Sequence, residues 1–219
     1  MILICVRHGE SLSNAHPEAV ALSEEEGDRL TDEGRRQSEA AARALRGSGA
    51  TRLLTSRMRR ATETAAVIAR GLGLEAEIDP GIHELRESAG YGSLPPEEQK
   101  LHRWSAWMAE HGDDPDYSYN EGESFNELRA RVRDFQRRMA TAGPGTVIAI
   151  THGIFLRFLL ADILWGDRFR AADVQRLWLL RTINGGISVF EHGERHHSAD
   201  PDLPGWTCRT WMAPPTGVG

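Results

Sequence analysis

Two short stretches of this chain end an apolar run with a histidine and a glycine: Val6-Arg7-His8-Gly9 and, far downstream, Ile150-Thr151-His152-Gly153. The residues before them, Ile2 to Val6 and Thr146 to Ile150, are apolar and largely β-branched, the composition of strands buried on both faces. In open α/β sheets ligands bind beyond the carboxyl ends of the strands, so a histidine placed there is delivered to a cleft. Neighbouring parallel strands lie about 5 Å apart, so if these two are neighbours their imidazoles share one pocket. Arginine accompanies them: Arg7 directly before the first histidine, and Arg57, Arg59 and Arg60 just past a third apolar segment, Thr51 to Thr55, that ends at Ser56. A guanidinium offers several donors in a fixed fork and suits phosphate oxygens. Two histidines with two or more arginines, and no cysteine or metal-ligand motif, point to phosphoryl chemistry with histidine as nucleophile. For either histidine alone, the plainer reading is a strand that merely ends in polar residues.

Composition narrows the setting. The chain has 219 residues, 40% hydrophobic and 26% charged, enough for one α/β domain with an insertion and for a core that needs no disulfide or metal staple. Its two cysteines, Cys5 inside an apolar strand and Cys208, imply a reducing compartment. Met1 runs directly into a strand with no basic leader pattern, so the expected location is cytoplasmic. No apolar run approaches the ~20 residues of a membrane span. A net charge of −6 argues against broad nucleic-acid binding, so an anionic substrate must be held by local positive charge. The expected partner is a small phosphorylated molecule. No motif assigns an oligomeric state.

The elements that must position these residues follow from periodicity and punctuation. Thr31 caps a helix whose first turn holds Asp32 and Glu33 and whose alanine-rich body runs to Leu45. A second helix from Met58 places Ala61, Ala65, Ile68 and Leu72 on one face, closed by Gly71 and Gly73. Leu74 to Ile78 suits a strand. From residue 83 to 122 the composition changes: glycines, prolines and tryptophans surround a helical pattern at 96–110, read as an inserted lid over the sheet edge. Ser124-Phe125-Asn126-Glu127 is a capping box for a long amphipathic helix through Met139. Ile154 to Leu164 is a further, wholly apolar helix. Arg176 to Arg181 and Ile187 to Glu191 read as strands of a hairpin turning at Asn184-Gly185-Gly186. Residues 1–195 form one domain on this reading, and 196–219 a loop-like tail.

Four motifs taken together carry a resemblance. Arg7-His8-Gly9-Glu10, the run from Ser56 through Arg60-Ala61 to Thr64-Ala65, the Leu85-Arg86-Glu87 stretch and Thr151-His152-Gly153 resemble, in order, the histidine phosphatase superfamily, the phosphoglycerate-mutase-like proteins. The match spans residue 2 to about residue 191. It implies a three-layer α/β/α sandwich with a mostly parallel sheet and a transient phosphohistidine on His8. Arg7, Arg60 and His152 would complete the phosphate pocket. An acidic residue of the inserted segment would protonate the leaving group. Glu87 fits the Leu-x-Glu pattern, although Gly90 follows three residues later where many members place it four later, and Glu84 is its rival. Asn14 stands where many relatives contact substrate, with capping of a turn as the plainer alternative.

The chemistry agrees with those roles. His8 must present a neutral nitrogen to phosphorus, so its other nitrogen should donate to a backbone carbonyl. Arg7 and Arg60 would neutralise charge on the non-bridging oxygens, and a protonated His152 would add a donor. Nothing in this scheme requires a metal or other cofactor. Mutase activity is the rival within the family; Gly90-Tyr91-Gly92-Ser93-Leu94-Pro95 does not resemble the longer stretch that mutases carry after the acid. A non-catalytic phospholigand-binding module is the alternative from another class. Metal binding by His192, His196 and His197 matches no ligand spacing. Trp104, Trp107, Trp206 and Trp211 suit packing, Arg57 and Arg59 the rim, and Asn184 either the pocket or a plain turn.

Overall fold

The computed structural model describes residues 1–16, 27–86, 111–118, 121–193 and 205–215. In chain order its elements are strand β1 (Ile2–Arg7), the single turn α1 (Leu12–Ala15), helix α2 (Asp32–Ala44), strand β2 (Ala50–Thr55), helix α3 (Arg59–Leu72), the short strand β3 (Ala76–Ile78), helix α4 (Phe125–Thr141), strand β4 (Thr146–Thr151), helix α5 (Gly153–Trp165) and strands β5 (Ile187–His192) and β6 (Trp206–Ala213). Turns of 3-10 helix cover Pro80–Ile82, Gly166–Arg168 and Ala171–Leu179. One six-stranded sheet has the order β3-β2-β4-β1-β5-β6. Its first four strands are mutually parallel, and β5 and β6 add an antiparallel edge.

Side chains alternate across a strand, and that alternation divides the core into two layers. Ile4 and Val6 of β1, Leu53 of β2 and Ile148 and Ile150 of β4 meet Ala41 and Ala42 of α2 and Ala61, Ala65 and Ile68 of α3. Leu3, Cys5, Leu54, Val147 and Ala149 face the other way, against Phe125, Val132 and Phe135 of α4 and Phe155 and Phe158 of α5. The result is the expected three-layer α/β/α sandwich. Cys5 is wholly buried, and burial pushes its thiol pKa far up, so it is a packing residue. Between α4 and α5, buried Asp162 accepts from Arg129 at 3.1 Å, Arg133 at 2.9 Å and Gln136 at 3.2 Å.

Helix starts follow the sequence closely. Thr31 Oγ1 accepts from the Gly34 amide, and Ser124 and Glu127 form the reciprocal capping box. Gly73 ends α3 in the left-handed region at φ 68°, whereas Gly71 lies inside the helix, where a Cβ would stand 2.9 Å from Ala42 Cβ. Gly71 therefore serves close packing of α2 on α3.

The C-terminal part corrects the sequence expectation. Arg176 to Arg181 is not a strand: residues up to Leu179 belong to the 3-10 segment, where Val174 and Leu177 are buried at the three-residue interval of that helix, not at the two-residue interval of a strand. Asn184 and Gly185 do turn the chain, but into β5, which pairs with β1 and β6. The tail also departs from the expected loop, because Trp206–Ala213 is the edge strand β6. Trp206 is buried against His192, ring centroids 5.0 Å apart, so both are packing residues of the β5–β6 pair. The lid helix expected at 96–110, Trp104, Trp107, Glu87, His196 and His197 lie outside the described residues. Among the described residues no helix is long and apolar enough to cross a membrane, and no cluster of three metal-ligating side chains occurs.

Candidate active site

Strands β1 and β4 are direct neighbours, with Arg7 opposite Thr151. The next residue on each, His8 and His152, therefore reaches the same carboxyl edge of the sheet, and the two ring centroids lie 5.1 Å apart. The His8 amide donates to the Thr151 carbonyl at 3.0 Å, which extends the strand pairing into the site. His8 is 2% exposed and His152 fully buried.

The His8 tautomer is set from both sides. Nδ1 stands 2.7 Å from the Gly9 carbonyl, a pure acceptor, and the Arg60 guanidinium donates through Nε to His8 Nε2 at 3.1 Å. Both contacts require the proton on Nδ1 and a lone pair on Nε2. Burial above all, then the Arg60 and Arg7 guanidinium charges, hold the His8 pKa well below the ordinary imidazole value, against a smaller upward pull from the Gly9 carbonyl. Burial, Arg60 and His8 do the same for His152. Neither ring nitrogen of His152 has a hydrogen-bond partner among the described residues. Both nitrogens therefore keep hydrogen-bonding capacity for a ligand or a water.

The arginines come from three elements. Arg7 donates through Nη1 to the Thr182 carbonyl at 3.0 Å and to the Thr182 hydroxyl at 3.3 Å, while its buried Nε has no partner among the described residues. Burial lowers its pKa, with the Glu84 carboxylate pulling the other way. Arg60, on the first turn of α3, pairs with Asp28 in addition to His8. A third, Arg157 of α5, approaches the same corner: a Cβ on Gly153 would stand 3.5 Å from Arg7 Nε and 3.6 Å from Arg157 Nη1. Arg157 is held by the Leu180 carbonyl at 3.1 Å and by the Trp178 ring.

The Arg7–Glu10 segment is wedged in place by α2 and α3. A Cβ on Gly9 would meet the Gly34 carbonyl at 2.4 Å, so the glycine serves the close approach of a helix backbone. The Gly9 amide donates to Thr64 Oγ1 at 3.0 Å, and that hydroxyl donates to the Arg60 carbonyl at 2.7 Å. Thr64 thus ties the loop of the histidine to the helix of the arginine.

Glu84 is brought to this site. Its carboxylate accepts from the amides of Ile154 at 3.1 Å and Phe155 at 3.2 Å, at the start of the helix that His152 caps. Buried Glu123 and Arg131 hold its segment. Arg131 bonds both Glu123 oxygens at 2.8 Å and donates to the Gly81 carbonyl at 2.9 Å and the His83 carbonyl at 2.8 Å. Asn14 reaches the rim: its Oδ1 accepts from Asn184 Nδ2 at 2.9 Å, and that same nitrogen donates to the His8 carbonyl at 3.1 Å. Asn184 therefore both turns the chain and braces the site. Arg57 and Arg59 are exposed, and Arg59 pairs with Glu63, so they stay outside the pocket. Sequence reasoning passed over Asp28, Thr182 and Arg157. None stands in a motif; each is recognisable only from what it touches.

The profile of the histidine phosphatase superfamily, branch 1, matches residues 3–200. The chain belongs to that family. This histidine phosphatase homologue is 33% identical over 164 residues to a Yersinia enterocolitica protein named probable phosphoglycerate mutase GpmB, covering 73% of each chain. Its fold matches that of the Entamoeba histolytica phosphoserine phosphatase solved with 3-phosphoglyceric acid, with TM-score 0.72, 18% identity and coverage of 97% of this chain and 96% of that one. It also matches a mycobacterial glucosyl-3-phosphoglycerate phosphatase solved with inorganic phosphate, with TM-score 0.71, 21% identity and 98% of both chains.

Proposed function

We propose that the protein hydrolyses a phosphomonoester through a phosphohistidine on His8. The observation that carries this reading is the His8 imidazole, held neutral with its Nε2 lone pair turned toward Arg60 and its ring beside a buried His152 that has no hydrogen-bond partner among the described residues. In the first step the Nε2 lone pair attacks phosphorus as the P–O bond to the leaving group breaks. Arg7, Arg60 and His152 sit where they can take the non-bridging oxygens, whose charge they offset. His152 starts neutral and gains its proton as the dianion enters. A carboxylic acid then gives its proton to the departing oxygen. Glu87, which fits the sequence pattern, and Glu84, whose carboxylate accepts from the α5 amides, are the two candidates for this role. In the second step water attacks the phosphohistidine, the same carboxylate takes the water proton, and His8 leaves as the neutral Nδ1-protonated ring. None of these steps draws on a metal or cofactor.

The relative named as a probable phosphoglycerate mutase favours a second reading, in which the phosphoryl group returns from His8 to another hydroxyl of the same molecule. Assaying purified protein against a panel of phosphomonoesters, with 3-phosphoglycerate followed for isomerisation as well as for phosphate release, separates the two. Release of phosphate from aryl and alkyl monoesters, unchanged by EDTA and without isomerisation, is the expected result. Isomerisation without net phosphate release would establish the mutase reading. Absence of both activities would leave only a phospholigand-binding module.

A further inference from the structure

Arg60 is the one arginine of the site whose three nitrogens are all engaged among the described residues. Nε donates to His8 Nε2 at 3.1 Å, Nη1 to the Asp28 carboxylate, and Nη2 lies 3.4 Å from the Met58 sulfur. The Arg60 and Asp28 side chains are only 13% and 14% exposed. The backbone beside Asp28 is pinned: the Leu30 amide donates to Glu63 Oε2 at 3.0 Å, and Leu30 bridges to Ser11. So the carboxylate is a fixed feature beside the nucleophile, not a passing surface partner.

This arrangement has two consequences for an incoming anion. The Arg60 N–H occupies the lone pair that must reach phosphorus, so phosphate oxygens have to draw the guanidinium off His8. They must also share that guanidinium with a carboxylate that already balances its charge. We propose that Asp28 is a positioning residue that holds Arg60 across His8 when the site is empty and weakens the grip on free inorganic phosphate, so that product leaves. The proposal rests on the phosphohistidine reading for its biological meaning, but its physical content concerns anion binding alone. Removing one member of a shielded ion pair leaves the other charge uncompensated. A bound dianion then supplies the compensation that the carboxylate gave before.

The test is calorimetric titration of inorganic phosphate and orthovanadate into the wild-type protein, Asp28→Asn and Asp28→Glu, none of which needs turnover. Asp28→Asn should bind both anions on the order of tenfold more tightly, about 1.4 kcal/mol. Asp28→Glu, which restores the charge, should return to near wild-type affinity. In the hydrolysis assay phosphate should become a correspondingly stronger competitive inhibitor of Asp28→Asn. Should Asp28→Asn melt early, titrating phosphate against its melting temperature gives the same affinity, because a ligand that binds only the native state raises that temperature. Equal or weaker phosphate binding by Asp28→Asn would overturn the proposal and leave the phosphatase reading standing. So would Asp28→Glu behaving like Asp28→Asn, which would show that shape and not charge matters. Wild-type protein that binds neither anion would overturn both.

Discussion

Gly34→Ala is a perturbation whose effect can be worked from the structure, since it strikes the loop of His8 from a helix that contributes no side chain to the proposed chemistry. An ideal Cβ on Gly34 would lie 2.1 Å from the Glu10 carbonyl oxygen and 2.9 Å from the Glu10 amide nitrogen. Carbon and oxygen in close contact need about 3.3 Å, so helix and loop must part by roughly 1 Å. Both contacts are backbone, and no side chain can swing aside. The loop is further tied by the Thr31 amide to the Glu10 carbonyl at 2.9 Å and by the Glu10 amide to Gln37 at 2.9 Å, so the shift passes to His8, two residues away. A misplacement of about 1 Å in a reacting group can cost about 100-fold in rate. The stability cost is smaller: overpacking takes about 1–3 kcal/mol, and alanine in place of glycine within a helix returns about 1 kcal/mol. Gly71→Ala is the control, because its Cβ would meet only Ala42 Cβ at 2.9 Å in the same helix pair. The assay is kcat/KM on an aryl phosphate beside thermal melts of both variants. The expectation is a loss of about 100-fold for Gly34→Ala and a nearly unchanged rate for Gly71→Ala. Wild-type kcat/KM in Gly34→Ala within about twofold, or an equal loss in Gly71→Ala, would refute the reasoning.

Three further outcomes are expected. Thr64→Val, which keeps the shape but leaves the buried Gly9 amide without an acceptor, should destabilise the protein by about 1–3 kcal/mol in denaturant titrations and lower kcat as well. Glu84→Gln should slow hydrolysis of alkyl phosphates far more than that of p-nitrophenyl phosphate, whose leaving group departs without a proton; equal losses on both would exclude Glu84 as the donor. His8 and His152 both have pKa values held well below the ordinary imidazole range, so the unfolded chain binds more protons than the folded one as pH drops through that range. Their contribution to stability is present above the unfolded value of about 6.5 and is lost as pH falls toward the folded values, so the melting temperature should fall on acidification below that point. The fall should be shallower in His152→Asn, while kcat/KM of the wild type should hold below pH ~6.5, since neutral His8 persists there.

What was legible in the sequence was legible for physical reasons. Strands buried on both faces announce themselves as β-branched runs, so β1, β4 and the histidines at their ends could be read and paired. Helices with strong caps, such as those beginning at Thr31 and Ser124, were likewise exposed by local chemistry. The edge strand at Trp206–Ala213 was not, because Thr207, Arg209 and Thr210 face solvent or the rim and its pairing with β5 slips register twice. The segment up to Leu179 misled because apolar residues in a 3-10 turn lack either regular period. In the candidate site, the residues that meet at the strand ends could be named by type: Arg7, His8, Arg60 and His152. The residues that aim them could not. Thr64 was visible only as part of a motif, and Asp28, Thr182 and the Arg131–Glu123 latch act through contacts between distant parts of the chain that no spacing encodes.

The central claim, that His8 carries the phosphoryl group, is tested most directly by rapid acid-free quenching of the enzyme with a phosphorus-labelled monoester, followed by peptide mapping. The account predicts acid-labile label on the peptide containing His8, formed and discharged fast enough to support turnover and absent in His8→Asn. Turnover that survives in His8→Asn, or label found on His152 or on a carboxylate instead, would contradict it.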